Sequence, residues 1–172
     1  MGFDPKTMNT TALAYIGDAV YEIYVRERVL AASARTQGGT QEQSGSQLQG
    51  AAAKGPAAFG AHVDALHKRA IRYVRADGQA KALRAMLKNG FLTVEEEALV
   101  RRARNHKSAS KPKNADAMDY KYATALEALI GYWHLTAGAG SAAEDAAEAR
   151  NRMEEIIFRA FAEIEKKEDK HE

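Results

Sequence analysis

Leu13-Ala14-Tyr15-Ile16-Gly17-Asp18-Ala19-Val20-Tyr21 carries a single acid in an otherwise apolar run. The apolar positions recur at helical spacing: Leu13, Ile16, Val20 and Ile23 form one stripe, and Ala14, Asp18, Tyr21 and Val25 the opposite one. This pattern predicts a helix from the Asn9-Thr10-Thr11 cap cluster to about Ala32, central and buried on most sides. A carboxylate is costly to desolvate without a cation or hydrogen-bond donor, so Asp18 is expected to face a cavity or an interface. About a hundred residues later a second lone acid, Glu127, sits in Ala123-Thr124-Ala125-Leu126-Glu127-Ala128-Leu129-Ile130-Gly131. Two lone acids in apolar helical runs, with basic sequence between them, point to a divalent-metal site acting on phosphates.

The same helical period runs outward in both directions, and no alternating strand pattern interrupts it. A helix pair is expected from Phe59 to Leu92, broken near Asp77-Gly78 and ended at Asn89-Gly90. Thr93-Val94-Glu95-Glu96 reads as a capping box opening a helix toward Arg104. Asn105 to Ala115 reads as a basic loop, followed by the helix of Glu127 from about Asp116 to Leu135. Ser141-Ala142-Ala143-Glu144 reads as a second capping box for a last helix reaching roughly Lys166. The expected fold is all-α, one domain over residues 1–172. Residues 33–60 are expected to form a flexible insertion, because Ser33 to Pro56 is rich in Gln, Gly, Ser and Ala, and residues 167–172 a charged tail.

Composition narrows the function classes. The chain has no cysteine, which excludes a disulfide framework, a thiolate zinc site and a cysteine nucleophile. No run is long enough to span a membrane and residues 1–6 hold no signal-peptide core, so a soluble, cytoplasmic protein is expected. The net charge of +2 is unevenly spread: Leu66 to Lys113 holds 13 Lys or Arg against four acids, leaving the remainder net acidic. A basic middle suits a polyanion met on one face, or equally a set of solvated helix faces. No nucleotide-binding glycine motif and no His ligand spacing is present, so no nucleotide cofactor is expected.

Tyr15-Ile16-Gly17-Asp18-Ala19-Val20 resembles the signature of the ribonuclease III family, and Glu127-Ala128-Leu129-Ile130-Gly131 its second acidic motif. Arg104-Asn105-His106-Lys107-Ser108 and Pro112-Lys113-Asn114 extend the resemblance to the stand-alone mini branch, which has no double-stranded-RNA-binding domain. The likeness covers roughly Leu13–Ala31 and Asp64–Leu135. It implies an all-helical domain, a symmetric homodimer and a groove for an RNA duplex, with two active sites each cutting one strand using Mg²⁺ (or Mn²⁺). It also implies double-stranded RNA as substrate and maturation of the large-subunit (23S) ribosomal RNA precursor as the task. The chain departs from the full-length family at Ala14 and Thr124, where that family carries acids.

Asp18 and Glu127 are accordingly the expected catalytic and metal-binding residues, with the ion held largely through waters and RNA phosphate oxygens. Asp116 or Asp119 could replace the missing acid, or could simply favour a helix N-terminus. Arg101, Arg102, Arg104, Asn105, His106, Lys107, Lys111 and Lys113 are the expected RNA-binding residues. Their charge supplies phosphate affinity, while Asn105, His106 or Asn114 could reach base edges. Arg69, Arg72 and Arg75 are read as flank contacts or surface pairs. Tyr15, Tyr21, Tyr24, Phe91 and Trp133 are read as core or dimer-interface aromatics. Two alternatives stay open: an RNA-binding or ribosome-associated relative that has lost catalysis, and a helical module meeting an acidic protein.

Overall fold

The computed structural model describes residues 4–38, 56–106, 117–139 and 142–166. They form α1 (Thr10–Gly38), α2 (Pro56–Val74), α3 (Ala76–Lys88), α4 (Val94–Arg104), α5 (Ala117–Ala139) and α6 (Ala143–Glu165), with no strand among them. The all-α expectation is met. Helix α5 is the central element: α1, α3, α4 and α6 all pack on it, and Ala125, Leu126, Ala128, Leu129 and Ile130 are fully buried. A helix apolar on every side belongs at the centre of a bundle.

Several element ends differ from expectation, each for a local reason. Helix α1 continues one and a half turns beyond Ala32 to Gly38, and α5 one turn beyond Leu135 to Ala139. The break between α2 and α3 falls at Arg75, which adopts an extended backbone, rather than at Asp77-Gly78. The Thr93–Glu96 capping box is present in both directions: Thr93 Oγ1 accepts from the Glu96 N–H at 3.2 Å, and Glu96 Oε2 accepts from the Thr93 N–H at 2.9 Å. The second expected box is not the cap of α6, whose N-cap is Ala142 without a side-chain bond. Gly90 ends α3 with φ +62°, where a side chain would be strained.

Helix α1 is less enclosed than its sequence suggests. Leu13, Tyr21, Val25 and Val29 lie in the core, but Tyr15 is 83 % exposed, and Ile23 and Leu30 on the same open face are each more than half exposed. No helix among the described residues is long and apolar enough to cross a membrane.

Glu96 does more than cap α4. Although 2 % exposed, it accepts from Trp133 Nε1 at 2.8 Å, from Arg152 Nε at 2.9 Å and from Arg152 Nη2 at 2.8 Å, tying α4 to α5 and α6. Burial alone would raise its pKa, but the Arg152 guanidinium and the Thr93 N–H hold it below the usual range. A comparable arrangement closes the other end, where Arg28 donates twice to Glu165 at 2.8 Å and Tyr73 donates to the same carboxylate.

Candidate active site

The two motif acids meet because α1 and α5 cross with almost no separation. A Cβ on Gly17 would collide with the Glu127 carbonyl, and one on Gly131 with the Leu13 carbonyl, so each helix offers a glycine to the other's backbone. The contacts run in opposite order along the two helices, making them antiparallel, and they bring the turn of Asp18 against the turn of Glu127. The glycine next to Asp18 and the one a turn after Glu127 therefore both have a steric cause.

Asp18 and Glu127 share one electrostatic environment. Burial pushes the Glu127 carboxyl up to about 8, the charge of Asp18 adds to the rise, and a hydrogen bond from Gln79 only partly opposes it. Asp18 is raised as well, by partial burial and the neighbouring charge of Glu22. Its residue is exposed rather than enclosed, so Asp18 stands at the open edge of the pair. Among the described residues, neither acid is held by a cation. This is the reverse of Glu96: negative charge is gathered and left uncompensated.

The Gln79 side chain was not singled out from sequence. It lies on the stripe Gln79, Leu83 and Met86 of α3, is 1 % exposed, and its Oε1 has no hydrogen-bond partner among the described residues. A lone polar residue in an apolar stripe, the signal that drew attention to Asp18, was available there too.

Of the other expected site residues, Arg101 and Arg102 are exposed on the last turns of α4, as are Asn105 and His106 just beyond. Arg104 is half-buried and braced, donating to the Tyr122 hydroxyl at 2.8 Å with its guanidinium over the same ring. Arg84 covers that ring as well and pairs with Asp119 at 2.6 Å. Asp119 is thus committed to Arg84 and does not replace the missing acid. Lys107, Lys111, Lys113, Asn114 and Asp116 lie outside the described residues. Ala14 is buried and Thr124 partly buried, so the described site contains no further acid at those two positions. Of the aromatics, Tyr21 is buried, Tyr24, Phe91 and Trp133 pack against the core, and Tyr15 points outward.

Among the described residues, no cluster of three or more His, Cys, Asp or Glu could hold a metal ion. Two adjacent carboxylates with no cation beside them among the described residues are nevertheless hard oxygen donors. They fit Mg²⁺ or Mn²⁺, ions that keep much of their water shell, and do not fit zinc or copper.

Comparison with known proteins agrees with this arrangement. The family model for the ribonuclease III domain matches residues 11–138. A mini-ribonuclease 3 from Enterococcus faecalis is 36 % identical over 154 residues, covering 90 % of this chain and 89 % of that protein. One from Brevibacillus brevis is 36 % identical over 162 residues, covering 94 % and 92 %. A crystal structure of a Fusobacterium nucleatum protein superposes with a TM-score of 0.58 over 91 % of this chain and 93 % of that one, and at 22 % identity it speaks to the fold alone. With the Gly-Asp and Glu motifs in contact inside the matched region, the chain belongs to the ribonuclease III family of double-stranded-RNA endoribonucleases, in its mini-ribonuclease III branch.

Proposed function

We propose that this endoribonuclease hydrolyses phosphodiester bonds of double-stranded RNA with Mg²⁺ (Mn²⁺ as alternative) held by Asp18 and Glu127, in maturation of the large-subunit ribosomal RNA precursor. The observation that carries the site is the uncompensated Asp18–Glu127 pair, with Glu127 pushed up to about 8. When bound, the ion would neutralise charge at the phosphoryl group and lower the barrier to attack by water. Glu127 supplies the inner carboxylate, fixed to the helix crossing by its own backbone against Gly17. Asp18 supplies the outer one, at the edge where a phosphate can approach. Arg101 and Arg102 offer exposed charge to the RNA backbone, and Arg104 is pre-set by Tyr122, which lowers the entropy lost on binding.

A homodimer completes the reading. Tyr15, Ile23 and Leu30 line the open face of α1, next to exposed Ile71 and Val74 of α2, and a second copy would cover this apolar surface. The core shared by the described helices supports a single catalytic domain over residues 1–172. A cytoplasmic location is in keeping with the absence of cysteine. The ribosomal precursor is the task of the mini branch that the sequence resembles.

The test is cleavage of a long mixed-sequence RNA duplex with Mg²⁺ and with EDTA, beside Glu127→Ala. Mg²⁺-dependent products that vanish in the variant support the reading. Salt-sensitive binding without cleavage in the unaltered protein would favour the second reading, an RNA-binding relative without catalysis, which the neutral residues Ala14 and Thr124 motivate. For the dimer, Ile23→Glu is expected to shift the sedimentation of the protein toward a monomer.

A further inference from the structure

A second charged cluster lies away from the acid pair, toward the far end of α1. Arg28 and Arg35 of α1, Arg69 and Arg72 of α2, and Glu165 of α6 line one cavity of about 390 Å³. Arg28 and Arg35 stand ten and seventeen residues past Asp18 on the same helix. At a rise of 1.5 Å per residue they lie about 15 and 25 Å along α1 from it. The cavity is therefore separate from the Asp18–Glu127 pair.

Its charge is the reverse of that at the acid pair. The one carboxylate, Glu165, is already taken: Arg28 donates to both of its oxygens at 2.8 Å, and the Tyr73 hydroxyl donates to it as well. Among the described residues, Arg35, Arg69 and Arg72 have no carboxylate within ion-pair distance. Two of these three are nonetheless held in place. Arg69 Nη1 donates to Ser33 Oγ at 2.7 Å, reaching from α2 to α1, and the Arg72 guanidinium lies 5.1 Å from the centre of the Tyr73 ring. Arg75, a turn further along the chain, shows the contrast, since it pairs with Asp77 at 3.0 Å. Like charges gathered in one concavity repel each other, and their summed field there favours an anion. Guanidinium forks match phosphate oxygens two at a time, and three unpaired cations exceed the charge of a single carboxylate. The cavity also has the size of a small-ligand site.

We propose that this cavity binds a phosphate group away from the acid pair, with Arg35, Arg69 and Arg72 as its contacts. The phosphate comes from a small phosphorylated solute or from the backbone of an RNA duplex that extends past the cleavage site. The inference does not rest on Asp18 and Glu127 being metal ligands.

The experiment titrates the full-length protein with inorganic pyrophosphate by calorimetry, in EDTA so that no metal bridges the probe to the acid pair. Melting temperatures are recorded on the same samples. Arg69→Gln combined with Arg72→Gln is expected to weaken pyrophosphate binding by about tenfold or more, the effect of losing charged hydrogen bonds. Arg35→Gln repeats the test without touching the contact at Ser33, and should weaken binding in the same direction. Arg101→Gln combined with Arg102→Gln removes the same charge from α4 and should leave pyrophosphate affinity as it was. Affinity unchanged in both cavity variants overturns the proposal. So does an equal fall in the α4 variant, which would mean attraction by overall charge, or failure of the unaltered protein to bind the probe. Duplex-RNA binding against salt concentration, on the folded cavity variants, names the source. A salt slope lower by about 0.7–0.9 per contact removed assigns the RNA backbone. An unchanged slope with pyrophosphate binding lost assigns a free phosphorylated solute.

Discussion

Glu96 is buried and Glu127 half-buried in one helical bundle, yet their surroundings oppose each other. Glu96 receives hydrogen bonds from Arg152, Trp133 and the Thr93 N–H, and its carboxyl is held below the usual range. Glu127 has no cation beside it among the described residues, faces the charge of Asp18, and is pushed up to about 8. A carboxylate supplied with donors and a guanidinium serves the fold. One surrounded by apolar groups and a like charge is unfavourable as it stands and gains from a cation arriving from outside. Burial alone does not separate structural acids from functional ones; the balance of charge around them does.

The sharpest way to break this contrast is to neutralise each acid's environment in turn. Glu127→Gln should lower cleavage of duplex RNA by about 10³-fold, equivalent to roughly 4 kcal/mol of barrier, with no loss in thermal stability. Steady-state cleavage and a melting curve on the same preparation check both halves. Arg152→Met should do the reverse, because it leaves Glu96 buried without its cation. A stability loss of about 3–5 kcal/mol is expected by denaturant titration, while Mn²⁺ affinity of the folded fraction stays as it was. If Arg152→Met weakened metal binding and left stability alone, the division between the two acids would collapse.

A pH titration sharpens the comparison further. The Glu127 pKa is raised in the folded chain from an ordinary value near 4.5 to about 8. Between these values the folded state holds a proton that the unfolded state has released. Its contribution to stability is therefore complete below about 4.5 and is lost as the pH rises through about 8. Metal-free protein should lose stability over that window, and Glu127→Gln should flatten the loss. Added Mg²⁺ should counter it at the alkaline end, since ion and proton compete for one carboxylate. Glu96 contributes oppositely: its stability is present above its unfolded value and falls away at acid pH. The smallest expected effect lies at the surface. Replacing Arg101 and Arg102 by alanine should reduce the salt slope of duplex-RNA binding by about 0.7–0.9 for each phosphate contact removed, measured as affinity against salt concentration.

Much of this was legible in the residues, because the decisive signals are local. A 3.6-residue apolar period makes a helix wherever it falls, and the box at Thr93 and Glu96 closes within one turn. Asp18 and Glu127 stood out as charges in apolar runs, and their motifs resembled one family closely enough to indicate the chemistry. The failures have physical causes too. The period that marks α1 as apolar on both sides cannot say that no other described helix covers Tyr15, Ile23 and Leu30. The Ser141–Glu144 pattern met the rule for a cap, yet α6 begins at Ala143 behind Ala142. Asp119 looked available as a third acid until Arg84, more than thirty residues earlier, proved to be its partner.

Helix content, the two acids and the basic middle follow from the order of residues along the chain, since propensity, periodicity and charge need no knowledge of what packs where. The pairing of Asp18 with Glu127 through Gly17 and Gly131, and the braced Arg104 on Tyr122, are properties of helices meeting across the bundle. Whether a buried carboxylate is satisfied or left waiting for a cation depends on groups distant in sequence, and only the folded chain brings those groups within reach.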